Sequence, residues 1–432
     1  MWIGLLVGCL SPTEPAHDPP VEADTPAEAA TPYACEVGYS VPGALGSLDP
    51  RVPDAHALVF GEPREVAAGV RVGPDPVHVH LGYPSSDAAR SLSVVWQTDP
   101  DTRATAIEWG VGAMDHSAEG VSFTLGDDPT YRTHEIRLCG ALEPDTTYSY
   151  RVGAEGHWSP VYQFTTPPAP GPEARFTLAM TGDSRGSYEE WAMVVARMEA
   201  HDPDLVLFSG DMVSSGASDG EWYAWWEAAG DVFARKVVLP AHGNHEILAA
   251  SYFANFSLPG NEQWYSVDYA SMTLVSLNDT VSDYPEFLQD DQVAFLHERL
   301  GASAAPWKVA MHHQAMFTAC DQHRSRTDLR GWWTPELDEH GVDLVLAGHN
   351  HIYERSVPIR AEAKVDPGQG AVYVVAGGAG APLYPKFTPD WFTDVVQTTE
   401  HYLIAEFGPD AIVVTVRDLD DNVIDSFEIP AG

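Results

Sequence analysis

A chain of 432 residues has room for two or three domains with sizeable hydrophobic cores. Apolar residues make up 44% and aromatics 10%, which excludes a wholly disordered protein, and no apolar run approaches the ~20 residues that cross a bilayer. Against 63 acidic residues stand 23 basic ones, of which four are lysines; the net charge of −40 argues against a nucleic-acid partner and obliges any phosphate site to supply its own positive charge. Solubility is the plain reading of the acidity.

The N-terminus opens on a short apolar run, Trp2 to Gly8, and Leu6-Val7-Gly8 leads into Cys9. That pattern resembles a bacterial lipoprotein signal, in which the cysteine is lipidated, although no Lys or Arg precedes the run. Residues 11–32 hold six prolines, five acids, no basic residue and no aromatic, so they read as a stiff tether that buries nothing. An exported, lipid-anchored protein sits in an oxidising compartment. There Cys35 and Cys139 are the expected disulfide and Cys320 a free thiol; the alternative is that all three are buried thiols.

The Gly/Pro-rich segment 33–74 has no assignable structure. Alternating runs then follow: Val77–Leu81, Ser91–Trp96, Ala106–Trp109 and Thr147–Val152. Short strands between turn residues predict an all-β sandwich over 75–166. His78 and His80 fall on one face of the first run and are expected to be structural. Four prolines in the six residues 167–172 mark a boundary, and 167–173 is the linker.

From 174 to 432 apolar strands alternate with helices. Strands are predicted at Phe176–Thr181, Asp204–Ser209, Val237–Ala241, Met272–Leu277, Trp307–Met311, Asp343–Ala347 and Ala371–Ala376. Helices are predicted at Tyr188–Ala200, Gln292–Leu300 and Leu329–Glu339, and the tail Tyr402–Ile429 returns to strand. The fold class is therefore two-domain: an N-terminal all-β sandwich followed by an α/β layered domain. Trp222, Trp225, Trp226, Trp332 and Trp333 fall at helical spacing and read as core, with stacking on a substrate ring as the alternative.

Five strands end in polar groups. Gly182-Asp183, Gly210-Asp211, Gly243-Asn244-His245-Glu246, His312-His313 and Gly348-His349-Asn350-His351 all sit where open α/β sheets place their sites. Carboxylate, carboxamide and imidazole suit iron, zinc or manganese. There are too many donors for one ion and enough for two ions sharing a carboxylate.

This ordered set resembles the calcineurin-like metallophosphoesterases. The continuation Ile352-Tyr353-Glu354-Arg355-Ser356 is similar to the purple acid phosphatase branch. So is the first block, where Leu142-Glu143-Pro144-Asp145-Thr146-Thr147-Tyr148 and Phe164-Thr165-Thr166-Pro167 resemble that branch's fibronectin type III-like N-terminal domain. The resemblance implies two metal ions (iron, zinc or manganese). Asp211 would bridge them, Asp183 and His351 would hold the first, and Asn244, His312 and His349 the second. His245 would contact phosphate or protonate the leaving group, Glu246 would orient His245, and His323 would face substrate from a loop.

Two positions depart from the pattern. Ser214 stands where the purple enzymes carry the tyrosine that gives the ferric colour, so a colourless or weakly coloured protein is expected. Arg185 stands where other members carry a histidine; it is expected to point outward and clamp the substrate phosphate, with an ordinary structural salt bridge as the alternative. The implied activity is hydrolysis of phosphate monoesters by a metal-activated hydroxide. A phosphodiesterase with the same two-metal site and a catalytically weak, surface-anchored binding protein are the alternatives. The expected partner is a phosphorylated small molecule, with membrane contact only through the N-terminal anchor.

Overall fold

The computed structural model describes residues 72–125, 129–281 and 287–432. The expected signal and tether, nearly all of segment 33–74, Cys9 and Cys35 lie outside the described residues. Cys139 is disulfide-bonded, and Cys320 is a buried free thiol.

Nine strands open the described chain: β1 (Val77–Gly82), β2 (Ser91–Thr98), β3 (Ala106–Gly110), β4 (His116–Glu119), β5 (Val121–Phe123), β6 (Arg132–Cys139), β7 (Thr147–Ala154), β8 (His157–Trp158) and β9 (Tyr162–Thr165). β1, β2, β6 and β5 form one layer; β4, β3, β7 and β8 form the other, with β9 on β7. Leu92, Val94 and Trp96 of β2 pack with Ile107, Trp109, Ile136, Tyr150 and Val152 between the layers. The polar face of β2 is buried as well. Ser93 Oγ donates to the Ser257 carbonyl, and Gln97 Nε2 donates to Asn255 Oδ1. The apolar-polar alternation of β2 is thus real, but its polar side meets protein instead of water.

His78 and His80 do not share a regular strand face. The register of β1 shifts between Val77 and His80, and His78 has a φ of 53°. His78 faces Gln97 and Glu227, each at 3.0 Å, while the His80 ring stacks on Trp226 at 3.8 Å. Both are structural.

The second part adds β10 (Phe176–Thr181), α1 (Tyr188–Glu199), β11 (Leu205–Phe208), α2 (Asp219–Ala229), β12 (Val237–Pro240), α3 (Ala250–Asn255), β13 (Tyr265–Tyr269) and β14 (Met272–Ser276). A π-helical turn, Phe287–Asp291, leads into α4 (Gln292–Ala302), followed by β15 (Trp307–Gln314), α5 (Thr327–Glu339), β16 (Leu344–Gly348) and β17 (Tyr353–Ser356). The small hairpin β18 (Ile359–Arg360) and β19 (Ala363–Lys364) precedes β20 (Val372–Ala376), β21 (Thr393–Gln397), β22 (His401–Phe407), β23 (Ala411–Asp418) and β24 (Val423–Pro430).

Two sheets carry the site. One runs β24-β23-β22-β10-β11-β12, the other β13-β14-β15-β16-β20-β17-β21. β10, β11 and β12 are parallel, as are β14, β15, β16 and β20. Parallel strands covered on both faces need continuous apolar runs, and Leu205–Phe208 and Val237–Pro240 are buried at every residue. Ser187 and Ser218 cap α1 and α2 by accepting from Glu190 and Glu221 N–H. Trp191, Trp222, Trp225, Trp226 and Trp333 are fully buried core, and Trp332 packs half-buried against it.

The sandwich and the α/β part are joined through the sheet. β1 lies beside β12 in parallel at Leu81 and Val237, so the first sheet continues into β1-β2-β6-β5. Across the same boundary Arg137 of β6 pairs with Glu262 at 3.1 Å, while Glu135 on its own strand holds it at 2.5 Å; all three side chains are buried.

Candidate metal centre

Every parallel strand named by a motif ends at one edge, and the turn after each strand is shaped to aim a donor. Asp183, Asp211 and His349 adopt left-handed φ values of 60°, 58° and 66°. Such conformations cost a non-glycine residue energy and persist where surroundings hold them. Here the hold is hydrogen bonding. Asp183 N–H donates to the Gly210 carbonyl, Asp211 N–H to Glu246 Oε2, and His349 N–H to Asp183 Oδ2. The glycines make the approach possible. A Cβ at Gly348 would lie 2.3 Å from Asp183 Oδ2, and one at Gly243 would lie 2.4 Å from Asp211 Oδ1.

One donor group forms around Asp211 Oδ1. His313 Nε2 lies 3.2 Å from that oxygen and 3.1 Å from Asn244 Oδ1. Asp211, His313 and His349 all present ligand atoms within 4.8 Å of one another. A second group is reached from Asp211 Oδ2 through Arg185: His351 Nε2 is 3.5 Å from Asp183 Oδ1, which is buried and has no hydrogen-bond partner. Backbone carbonyls set the rings. His313 Nδ1 donates to Ser209 O and His351 Nδ1 to Pro382 O, each at 2.7 Å, which turns Nε2 of both toward the donors.

The structure brings His313, not His312, into the first group. His312 Nδ1 instead pairs with Asp279 Oδ2 at 3.1 Å, and its ring meets the edge of Trp333. The β15–β16 register shifts between Met311 and Gln314, so the inward position moves to the second histidine. For Arg185 the salt-bridge alternative holds and the outward orientation does not. Its guanidinium does not point outward: Nε lies 3.3 Å from Asp211 Oδ2 and Nη2 lies 3.4 Å from His351 Nε2. Glu246 does not orient His245. Its buried carboxylate accepts from the N–H groups of Gly243, Asp211 and Met212 and so braces the Asp211 loop.

His245 is set by its neighbours in another way. Its N–H donates to Asp211 Oδ1 at 2.9 Å, its Nδ1 donates to the Ser214 carbonyl at 2.7 Å, and its Nε2 is 3.9 Å from Asp211 Oδ2. The side chain of exposed Ser214 is not part of either donor group; its backbone carbonyl is the part that serves. His323 lies against His349, with ring centroids 4.1 Å apart, and Tyr384 Oη sits 3.4 Å from His323 Nε2. Tyr384 also stacks on His351 at 4.2 Å.

Sequence reading missed His313, Tyr384 and Asp279. Asp279 Oδ2 accepts from the backbone N–H groups of His313 and Gln314 as well as from His312. The adjacent-histidine pair was a visible signal for His313. Asp279 and Tyr384 stand in no motif.

The electrostatics favour a cation at Asp211. Burial works against charge on His313, yet Asp211, Asp183 and Asp279 hold its imidazolium well above the ordinary range. The reciprocal charge of His313 and His245 overrides burial and pulls Asp211 down. Burial pushes His349 down to about 3, which leaves it neutral and ready to ligate. Oxygen and imidazole donors around Asp211 Oδ1 fit a divalent ion. The buried, unpartnered Asp183 Oδ1, with His351 and Asp211 Oδ2, offers a second position that the Arg185 guanidinium borders.

A layered α/β domain with donors at parallel strand ends defines a metal-dependent hydrolase scaffold. Residues 176–353 match the model of the calcineurin-like phosphoesterases, and 76–166 match that of the purple acid phosphatase N-terminal domain; together these cover more than half of the chain. The chain belongs to the calcineurin-like metallophosphoesterases, in their purple acid phosphatase-like branch with a sandwich domain in front.

Among curated relatives, a phosphoenolpyruvate phosphatase of Allium cepa is 26% identical over 351 residues, spanning 74% of this chain and 69% of that protein. Acid phosphatase type 7 of Homo sapiens is 28% identical over 354 residues, spanning 71% and 78%. Among solved structures, purple acid phosphatase PPD1 from yellow lupin (Lupinus luteus) seeds superposes with a TM-score of 0.73 at 20% identity, over 83% of this chain and 74% of that one. PhoD superposes with a TM-score of 0.61 at 14% identity, over 84% and 92%. These two structures share the fold.

Proposed function

We propose that the protein hydrolyses phosphate monoesters of small molecules at a two-metal centre. The place of Asp211 between two donor groups carries the reading: Oδ1 lies against His313, and Arg185 links Oδ2 to His351, which faces Asp183 Oδ1. Asn244, His313 and His349 would complete one position and Asp183 and His351 the other, with iron, zinc or manganese as the ions the donors suit. When bound, the ions supply Lewis acidity, which offsets phosphoryl charge and makes water acidic enough to attack near neutral pH. The relatives named acid phosphatases support the monoester class.

The chain's own residues would divide the remaining work. His245, fixed at Nδ1, presents Nε2 3.9 Å from Asp211 Oδ2 and protonates the departing alkoxide oxygen. His323, held between His349 and Tyr384, faces the substrate. Arg185 adds a fixed positive charge beside Asp211 that phosphoryl oxygens share.

We place the working parts at 75–166 and 174–432, joined by 167–173. We read the protein as exported and held by a lipid at Cys9, with the Pro/acid-rich stretch as spacer. No helix among the described residues is long and apolar enough to cross a membrane.

The test is p-nitrophenyl phosphate hydrolysis beside bis-p-nitrophenyl phosphate, before and after chelation. Monoester turnover that is lost on stripping and restored by added metal is the expected result. Restoration of diester turnover alone would overturn the substrate class, and no restorable turnover would favour the binding-protein alternative.

A further inference from the structure

Outside the centre, on two neighbouring helices, three further donors converge on one point. His297 lies on α4, Glu336 lies in the last turn of α5, and His340 caps that helix. His297 Nδ1 is 3.0 Å from Glu336 Oε2, His340 Nε2 is 3.5 Å from the same oxygen, and the two ring nitrogens are 3.4 Å apart. Among the described residues, this and the Asp211 group are the two sets of three that could hold a metal ion.

The distances fit an ion. A tetrahedral ion with bonds of about 2.0–2.1 Å sets its ligand atoms roughly 3.3–3.4 Å apart. The three edges here are 3.0, 3.4 and 3.5 Å. Protons do not account for all three edges. Each imidazole can donate to Glu336 Oε2, but two N–H groups aimed there then oppose each other along the third edge. One cation turns all three lone pairs to account at once.

Two features of the helices serve the arrangement. Glu336 and His340 are four residues apart on the same helical face, which is the spacing that brings two side chains to one ligand. On the neighbouring helix, Gly301 lies under the His340 ring: a Cβ there would meet His340 Cε1 at 3.3 Å. Glycine is a weaker helix former than alanine. Here it gives the ring its place against α4.

We propose that His297, Glu336 and His340 form a separate binding site for a borderline divalent ion of the zinc class, with water in the fourth position. The site staples α4 to α5. α5 is 13 residues, about 20 Å, long; its first turn follows β15, whose end supplies His313, and its last turn leads back to the start of β16. The staple therefore sits at the opposite end of the second sheet from the phosphoesterase centre. The net charge of −40 raises the local concentration of cations around it.

The experiment is Zn(II) titration of the full chain by calorimetry, with metal counted per chain after dialysis, for the wild type, His297→Ala and Glu336→Gln. Each variant is expected to lose one equivalent of zinc and the part of the zinc-dependent rise in Tm that goes with it. Metal-restored p-nitrophenyl phosphate turnover should stay within twofold. Glu336→Gln keeps the shape of the helix and guards against a folding defect. Equal zinc uptake, affinity and Tm response in all three proteins would overturn the site, whatever the fate of the phosphatase reading.

Discussion

Arg185 places a positive charge beside one of the two proposed metal positions. Its guanidinium lies against Asp211 Oδ2 and His351 Nε2, two groups through which an ion there would bind. A like charge a few ångströms from a cation is costly even at the effective dielectric of a protein surface. An ion at Asp183, Asp211 and His351 must therefore bind more weakly than one at Asn244, His313 and His349. Arg185→Ala should tighten the weaker metal-binding step at least tenfold while lowering turnover at saturating metal about tenfold. Binding isotherms with Mn(II) and steady-state kinetics on the same preparations check both. If both stay within twofold, Arg185 is a bystander.

The turns and strands around the site show how little freedom the donors have. β15 carries His312 and His313 side by side, and the irregularity between Met311 and Gln314 decides which one turns to Asp211. The two histidines should therefore fail differently. His313→Ala removes a donor and should cost the ion at Asn244 and His349, with turnover falling by about a thousandfold. His312→Ala empties a buried contact with Trp333 and Asp279; it should cost about 2 kcal/mol of stability, within the usual range for core truncations, and leave the metal count unchanged. Metal analysis and thermal unfolding of the two variants separate these outcomes. Loss of metal on His312→Ala alone would reverse the assignment.

Across the whole molecule, the sandwich and the α/β part are joined because β1 extends the first sheet, the polar face of β2 is buried against Asn255 and Ser257, and Arg137 of β6 pairs with Glu262. That burial extends to histidines. Burial pushes His134 and His242 down to about 3 and His401 down to about 4. In the unfolded chain each returns to its ordinary value of about 6.5. The unfolded state then binds more protons than the folded one between those limits, so stability rises with pH across that window and is lost as pH falls. Tm of the metal-loaded protein should be flat above about pH 7 and drop steadily from pH 6.5 towards pH 4. A Tm that holds constant down to pH 4.5 would show that these three histidines are not buried neutral.

Chain-local information was enough for much of this. Strand periodicity placed β10, β11, β12, β14, β16 and β20 within a residue at either end, because buried parallel strands are short continuous apolar runs bounded by turn residues. The Gly-Asp, Gly-Asn-His-Glu and Gly-His-Asn-His turns were legible for a related reason: left-handed and close-packed backbone at strand ends demands these residue types. What stayed hidden depends on partners distant in the chain. A one-residue shift against β16 chose His313 over His312, and the free carboxylate oxygen of Asp211 drew Arg185 inward. The meeting of His297 with Glu336 and His340 required α4 and α5 to pack side by side. Period and propensity act within a few residues, whereas the direction of a side chain at a bulge or a helix contact is set by whichever atoms the fold brings to it.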